Sequence, residues 1–456
     1  MRRPAQEAFV DEGFRLGKLG RNIWRLFEDR ESRLVNESLV LETWLRSSIG
    51  KECRSEDQTL RMRKSLIVGA ICVVVLVARI PAWADQPRAR VDPRVAFAKG
   101  QAALSAGELD GAEKFFRQVL SVDPQSAAAY ANLGVIAMRR KDWEGALTLL
   151  KKAEQLDPKM SGVRLNVGIV EFRRANYSGA IAPLRSVVRE QPDSAQARYL
   201  LGLCEVLTEH YGEAVTELEP LWPERSNDVM YLYVVGIAAH NSGQSSLDEK
   251  ALARMIAVGG DTPELHLILG KAYLNRQEND AAIKELNLAA AEDASLPFVH
   301  FNLGMAHTRL GDDDELAEAE FRKDIEIEPD VADDYAQLGL LYARQQKKEE
   351  AERVFEEALR REPRLATARL GLAQLYLGEE KFALALREAD AAVRLAPDNQ
   401  NVHYLRGRIL TRLGRQTEAR TELAAAQKLM NQSLGKARAN LGDGAIPNPE
   451  LTREPR

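Results

Sequence analysis

Cys204 and His210 are the nearest approach in this sequence to a thiol nucleophile with a base at hand. Cys204 falls two residues after Gly202 in an apolar stretch, however, and a free cysteine so placed behaves as a small buried hydrophobe. His300 and His307 are the next pair to weigh. Two helical turns separate them by about 10 Å, too far to share a metal ion without distortion. The run "GDDDELAEAE" at 311–320 is acidic but lacks the ligand spacing of a calcium loop. Asp312 to Glu315 are better placed to cap the N-terminus of a helix. Neither a G-x4-G-K-[ST] phosphate loop nor an H-E-x-x-H zinc motif occurs. The reactive side chains therefore point to no catalytic residue, no cofactor and no metal, with an enzyme working through Cys204 kept as an alternative.

The elements that would hold these residues announce themselves by internal repetition. Leu133-Gly134 recurs as Val167-Gly168, Leu201-Gly202, Val235-Gly236, Leu269-Gly270 and Leu303-Gly304, each 34 residues further on. After one inserted residue the series resumes at Leu338-Gly339, Leu372-Ala373 and Arg406-Gly407, and Gly100 opens it, which makes ten repeats. A second series on the same beat is Ala112, Ala146, Ala180, Ala214, Ala282, Ala317, Ala351, Ala385 and Ala419. A large apolar residue follows four later, among them Phe116, Leu150, Phe321 and Phe355. Pro124, Pro158, Pro192, Pro329, Pro363 and Pro397 close six of the repeats. Small residues at both positions let two antiparallel helices approach closely, and the proline cannot continue the second helix, so it turns the chain. One such hairpin cannot bury its apolar face alone, so its neighbours must stack on it.

Three series locked in one register resemble the tetratricopeptide repeat. Repeat 8 carries the pattern most fully, in Tyr335, Leu338, Gly339, Tyr342, Ala351, Phe355 and Pro363, and the resemblance covers about residues 93–430. It implies an all-α fold, an α-solenoid of about ten stacked helix-turn-helix repeats in a right-handed superhelix. It also implies a non-enzymatic protein–protein interaction scaffold whose first helices line a concave groove. Carried over residue by residue, the groove would have Tyr199, Leu203, Tyr233, Phe298 and Phe301 as an apolar floor. Asn132, Asn166 and Asn302, with Gln337, resemble the asparagine ladders that hold extended peptide backbones, and Arg139, Arg173, Arg309, Arg344 and Arg412 form a line of cations. Such a groove suits an extended or helical protein segment bearing acidic groups. The competing reading has the arginines solvated and the aromatics packed against neighbouring repeats. The lysine a chaperone-tail carboxylate clamp requires is Phe97 for Asn132 and Ala131 for Asn166, so that partner class is rejected.

The pattern breaks in repeats 4 to 6. Pro220 and Pro223 fall inside or just after the second helix of repeat 4, and Ser226, Gly260 and Ala294 stand where closing prolines belong. Repeat 5 has Asp248 in place of the alanine, and "HNSGQSSLDE" at 240–249 reads as a loosened loop between its helices. A hinge at a binding site and plain degeneracy of the repeat both fit these departures.

Ahead of the array, "RMRKSLIVGAICVVVLVARIPAWAD" (61–85) has the three parts of an export signal. Arg61, Arg63 and Lys64 are its basic region, Ser65 to Ala78 its apolar run, and Ala82 and Ala84 the small residues at a cleavage site. The run is short for a membrane span, which needs about 20 residues. Residues 1–61 are then either a start-site misassignment ahead of Met62 or a cytosolic extension before a signal anchor at 65–84. The division expected is an extension (1–61), a signal (62–84), a linker (85–92), repeats 1–5 (93–262), repeats 6–10 (263–430), a capping helix (431–442) and a disordered tail (443–456). Of the three cysteines only Cys204 survives cleavage, so no disulfide framework holds the array. Residues 1–60 balance 11 Lys/Arg against 11 Asp/Glu, residues 61–84 add four basic side chains, and the remainder is therefore −9 out of a total of −5. An acidic body argues against nucleic acid as a partner. The expectation is a periplasmic or secreted scaffold binding protein segments and meeting the membrane only through its signal or anchor. An accessory subunit of an envelope assembly or export machine, for polysaccharide or pili, is the alternative.

Overall fold

The computed structural model describes residues 92–311 and 314–441, with side chains to Gly435. The extension, the signal with Ala82 and Ala84, the tail, and Asp312 and Asp313 lie outside the described residues. Within them every regular element is a helix. Two compact units divide between Ala197 and Arg198.

The first unit holds α1 (Pro93–Ser105), α2 (Leu109–Val122), α3 (Ala127–Arg139), α4 (Trp143–Leu156), α5 (Ser161–Arg173) and α6 (Tyr177–Glu190), which are repeats 1 to 3. Each pair is locked by the residues the beat picks out. Ala112, Phe116, Ala146, Leu150, Ala180 and Leu184 are all fully buried. Asp92, Ser126, Asp142 and Asn176 cap helices by accepting backbone N–H bonds. Each closing proline stands two residues after the helix it ends, because the residue before a proline disfavours helical backbone.

The second unit takes most of α7 (Ala195–Leu207), then α8 (Tyr211–Leu218), α9 (Trp222–Arg225), α10 (Val229–Asn241), α11 (Ser245–Val258), α12 (Pro263–Asn275) and α13 (Asn279–Glu292). It continues through α14 (Val299–Leu310), α15 (Asp314–Ile327), α16 (Ala332–Arg344), α17 (Lys348–Arg361), α18 (Ala366–Gly378), α19 (Phe382–Leu395), α20 (Gln400–Arg412) and α21 (Gln416–Leu441). Repeat 4 is α7 with α8, repeat 5 is α10 with α11, and repeats 6 to 10 follow in pairs. In repeat 4 the two prolines cut the second helix short at Leu218, and a 3-10 turn (Glu219–Leu221) and α9 follow. The Tyr231 hydroxyl donates to the freed Leu218 carbonyl at 2.9 Å, so the shortened helix keeps a partner for its end.

Two expectations change here. The loop of repeat 5 is not loosened: α10 runs to Asn241 and α11 starts at Ser245, the same tight turn as elsewhere. Its irregularity is in packing instead. A Cβ on Gly134, Gly168, Gly202, Gly270, Gly304 or Gly339 would lie under 3 Å from the large apolar residue of its own repeat, whereas one on Gly236 meets nothing nearer than the Asp248 carboxylate at 3.8 Å. The carboxylate stands where alanine lets the helices touch, and it is held there by Arg276 at 2.9 Å and His240 at 3.1 Å. A small pocket of about 20 Å³ opens beside it. Residues 431–441, expected as a capping helix, are the continuation of α21 rather than a separate element. No helix among the described residues is long and apolar enough to cross a membrane.

Candidate peptide-binding face

First helices of successive repeats lie side by side in both units, α3 beside α5 in one, and α10 beside α12, α12 beside α14, α16 beside α18 and α18 beside α20 in the other, while α16 reaches α14 through the Arg344–Thr308 hydrogen bond. The residues proposed for a groove sit on these helices. The apolar set is buried: Tyr199, Leu203, Tyr233, Phe298 and Phe301 are all under a tenth exposed. Tyr199 lies against Tyr231 with ring centroids 6.4 Å apart and carries the Arg225 guanidinium at 4.2 Å, and Phe301 lies against Phe321 at 5.9 Å. These rings are spent on packing between helices.

The arginines do something the sequence did not suggest. Arg139 donates to the Leu104 carbonyl at 2.7 Å, Arg309 to Leu274 at 2.7 Å and Arg344 to Thr308 at 3.0 Å. Each acceptor lies in the last turn of the preceding repeat's first helix or just under it, where unpaired carbonyls and the helix dipole favour a cation. Arg173 is half-buried at the end of α5, and Arg412 is exposed. The cation line is thus largely a row of helix caps.

The amides are more available. Asn132, Asn166, Asn302 and Gln337 are buried. Asn132 and Asn302 each donate back to the carbonyl four residues earlier, Ala128 at 2.8 Å and Phe298 at 2.6 Å, which fixes their rotamers and spends one of two amide N–H groups. Among the described residues the Gln337 Nε2 has no hydrogen-bond partner.

Two further sets escaped the sequence reading. One is a rung inside repeats: a basic side chain early in the first helix bonds a glutamate of the second. Arg198–Glu217 (2.7 Å), His266–Glu285 (2.7 Å), His300–Glu320 (2.5 Å), Arg369–Glu388 (2.6 Å) and His403–Glu422 (2.7 Å) make it. His300 is thus buried with its ring hydrogen-bonded to Glu320. Burial opposes charge on His266 more than any other single effect, but the bonds to Glu285 and Asp261 together outweigh it and raise its pKa. Asp261, His266 and Glu292 bring ligand atoms within 4.8 Å of one another, yet both ring nitrogens of His266 already face carboxylates, those of Glu285 and Asp261. The 34-residue spacing of these pairs was visible and went unread because attention stayed on apolar series.

The second is Lys271. It occupies the position held by Val135, Ile169, Leu203, Ile237, Met305 and Leu340 in other repeats. It is 6% exposed, and its ammonium lies 5.8 Å over the Tyr233 ring. No hydrogen-bond or ion-pair partner reaches it among the described residues, and burial alone pulls its pKa down to about 8. Beside it Asn275 donates to the Tyr233 hydroxyl at 3.1 Å. A lysine amid the apolar equivalents of repeats 2 to 5, 7 and 8 was the signal that could have found it, although repeats 1, 9 and 10 carry Gln101, Gln374 and Arg408 there. Cys204 is a free, buried thiol, and burial, with Glu205 next to it, pushes its pKa up, away from nucleophilic character.

A tetratricopeptide-repeat family model matches residues 97–161, 167–225, 337–399 and 372–433. Those residues thus match tetratricopeptide repeats, and proteins built of such repeats generally act as protein-interaction scaffolds. The stretch left between the matches, 226–336, takes in Asp248, the Lys271 position and most of the histidine rungs. Among curated proteins, anaphase-promoting complex subunit 3 of Schizosaccharomyces pombe is 22% identical over 227 residues, 42% of this chain and 34% of that protein. The match thus spans about a third of that relative's length. Among solved structures, yeast Tom70 aligns at 16% identity over 76% of this chain and 90% of its own, with a TM-score of 0.39. MamA from Desulfovibrio magneticus RS-1, residue 41 to its end, aligns at 22% identity over 38% of this chain and 97% of its own, with a TM-score of 0.34.

Proposed function

We propose that this chain is a non-catalytic scaffold that receives a segment of a partner protein on the first helices of repeats 6 to 8, and that it works outside the cytoplasm. One observation carries the binding site: Lys271, Asn302 and Gln337 are buried polar groups on the first helices of repeats 6, 7 and 8, and among the described residues Lys271 meets no hydrogen-bond or ion-pair partner, Asn302 spends one of two amide N–H groups, and Gln337 Nε2 has none. Native proteins pair such groups, since leaving one unmade costs about 1–3 kcal/mol. The packed aromatics then shape the face and the arginines hold its helices in place, so neither set needs to touch the partner. The export signal pattern at 61–85 supports the location.

Site-specific photo-crosslinking tests the site. A photoreactive residue at Met305, half-buried on α14, is expected to crosslink a discrete partner in intact cells, and one at the exposed Leu288 on α13 is not. Crosslinks from Leu288 alone would move binding to the second helices. For the location, N-terminal sequencing after cell fractionation should give a mature protein beginning near Asp85. An intact Met1 in the cytosolic fraction would overturn export.

A further inference from the structure

Of the unfilled groups on this face, Lys271 is the least tolerable alone. The side chain is buried, which leaves its ammonium little water, and no acidic group among the described residues lies against it as a counter-charge. Its neighbours along the face, the amides of Asn302 and Gln337, each offer a donor beside an acceptor oxygen. The Lys271 Nζ, the second N–H of the Asn302 amide and the unpartnered Gln337 Nε2 are all donors. A row of donors calls for a row of acceptors. A helical segment cannot provide it, because its own N–H groups already occupy its carbonyls; an extended strand leaves its carbonyls open. A polyphosphate backbone would offer acceptors too, but the body of this chain carries −9 and would repel it.

We infer that repeats 6 to 8 bind an extended segment of a partner protein, with an aspartate or glutamate side chain on Lys271 and backbone carbonyls on Asn302 and Gln337. This rests on the first-helix face being the binding site, and it chooses the extended over the helical ligand and fixes its charge. The spacing is consistent. Packed helices lie about 8–10 Å apart, and an extended chain advances about 3.3 Å per residue. Two helix steps from Lys271 to Gln337 therefore correspond to about six residues, with the acidic residue near one end.

The test uses random dodecapeptides displayed on phage and panned on the full chain at pH 7, the recovered peptides being resynthesised with fluorescein for anisotropy. The expected result is a shared Asp or Glu. Replacing it by Asn or Gln weakens binding at least about tenfold, as a charge-assisted bond should. Lys271→Met weakens it equally, and the two changes together weaken it no further than either alone. Lys271→Arg keeps the acidic preference, and Gln337→Ala costs a smaller factor. Should Lys271→Met fail to fold, the peptide-side substitution against the unaltered chain reads the same contact. The free chain gives a second reading: Lys271→Met, which removes an unpaired buried charge, raises the unfolding midpoint, and a marked fall would mean the chain supplies its own counter-ion and overturn the inference. Peptides without an acidic residue, or indifferent to Lys271→Met, overturn it as well. If such peptides still lose affinity with Met305→Asp on the same face, the face survives as a binding site and only the acidic anchor falls. Peptides indifferent to both changes, or no recovered peptide at all, overturn both.

Discussion

Repeats 5 and 8 lie in the same unit and are built on the same 34-residue plan, yet their interiors differ. In repeat 8, Phe355 is fully buried and fills the space over Gly339, where an added Cβ would come within 2.7 Å of its ring, and over Gly371 of the next repeat, where it would come within 2.3 Å. One ring thus ties two repeats together. In repeat 5 the Asp248 carboxylate stands in place of the alanine, Leu252 lines a small pocket, and a Cβ on Gly236 would meet only ordinary contacts, Asp248 at 3.8 Å and Ala251 at 4.0 Å. The hairpin survives the loss of its knob because Asp248 is tied to Arg276 of the following repeat and to His240 of its own. The plan specifies where helices start and turn; the side chains at two positions specify how tightly they close.

The largest expected effect that tests this contrast is Phe355→Ala. Removing a fully buried ring should cost about 3–5 kcal/mol, read as faster amide exchange across α16 to α18. Leu252→Ala in repeat 5 should cost less than half as much, because it already borders a small pocket; equal costs would dissolve the contrast. Next come the glycines. Gly339→Ala forces the ring aside and should cost about 1–3 kcal/mol, whereas Gly236→Ala should stabilise by about 0.5–1 kcal/mol through helix propensity alone. Denaturant midpoints of the two variants should move in opposite directions.

The turns invert the ranking. Repeat 5 closes its first helix on Gly243 at φ 73°, repeat 8 on Gln346 at φ 63°. Gln346→Gly should therefore gain about 0.5–1 kcal/mol and Gly243→Ala lose a similar amount, confirming by the same midpoints that looseness in repeat 5 is a matter of packing. The smallest effect is titration. The raised pKa of His266 means that its rung stabilises fully below the ordinary histidine value near 6.5 and fades as pH rises through the higher folded value. Protection factors in α12 and α13, corrected for the intrinsic rise of exchange with pH, should fall from pH 6 to 8, and His266→Gln should flatten that fall. Repeat 5 has Leu232 and Ala251 at the rung positions and should show no matching change.

The architecture was legible because it depends on residue size at fixed spacing. Leu-Gly, Ala and Pro on one beat are a packing instruction that survives any choice of surface. The face was legible only in part. Burial of Tyr199, Tyr233 and Phe301 follows from where neighbouring helices fall, which no single repeat states. Arg139 and Arg309 looked like a charged edge, but their acceptors are backbone carbonyls 35 residues away, and carbonyls leave no mark in a sequence. Asp248 was noticed as a missing alanine and ascribed to a loop, when it stands at the contact between two helices. Lys271 was passed over because a lysine on a helix is ordinarily solvated; its burial emerges only when Tyr233 closes over it.

The arginines that reach back one repeat give the array a direction. Arg139 finishes α1, Arg309 finishes α12 and Arg344 finishes α14, always a later repeat completing an earlier one. Trimming repeats from the front would merely leave an idle guanidinium at the new boundary. Cutting behind α12 or α14 would strip a finished helix of its terminus and let it fray from the cut edge inward. Fragments for study should accordingly end one first helix beyond the last repeat of interest, and a chain emerging N-terminus first secures each of these helices only after the next one has been made.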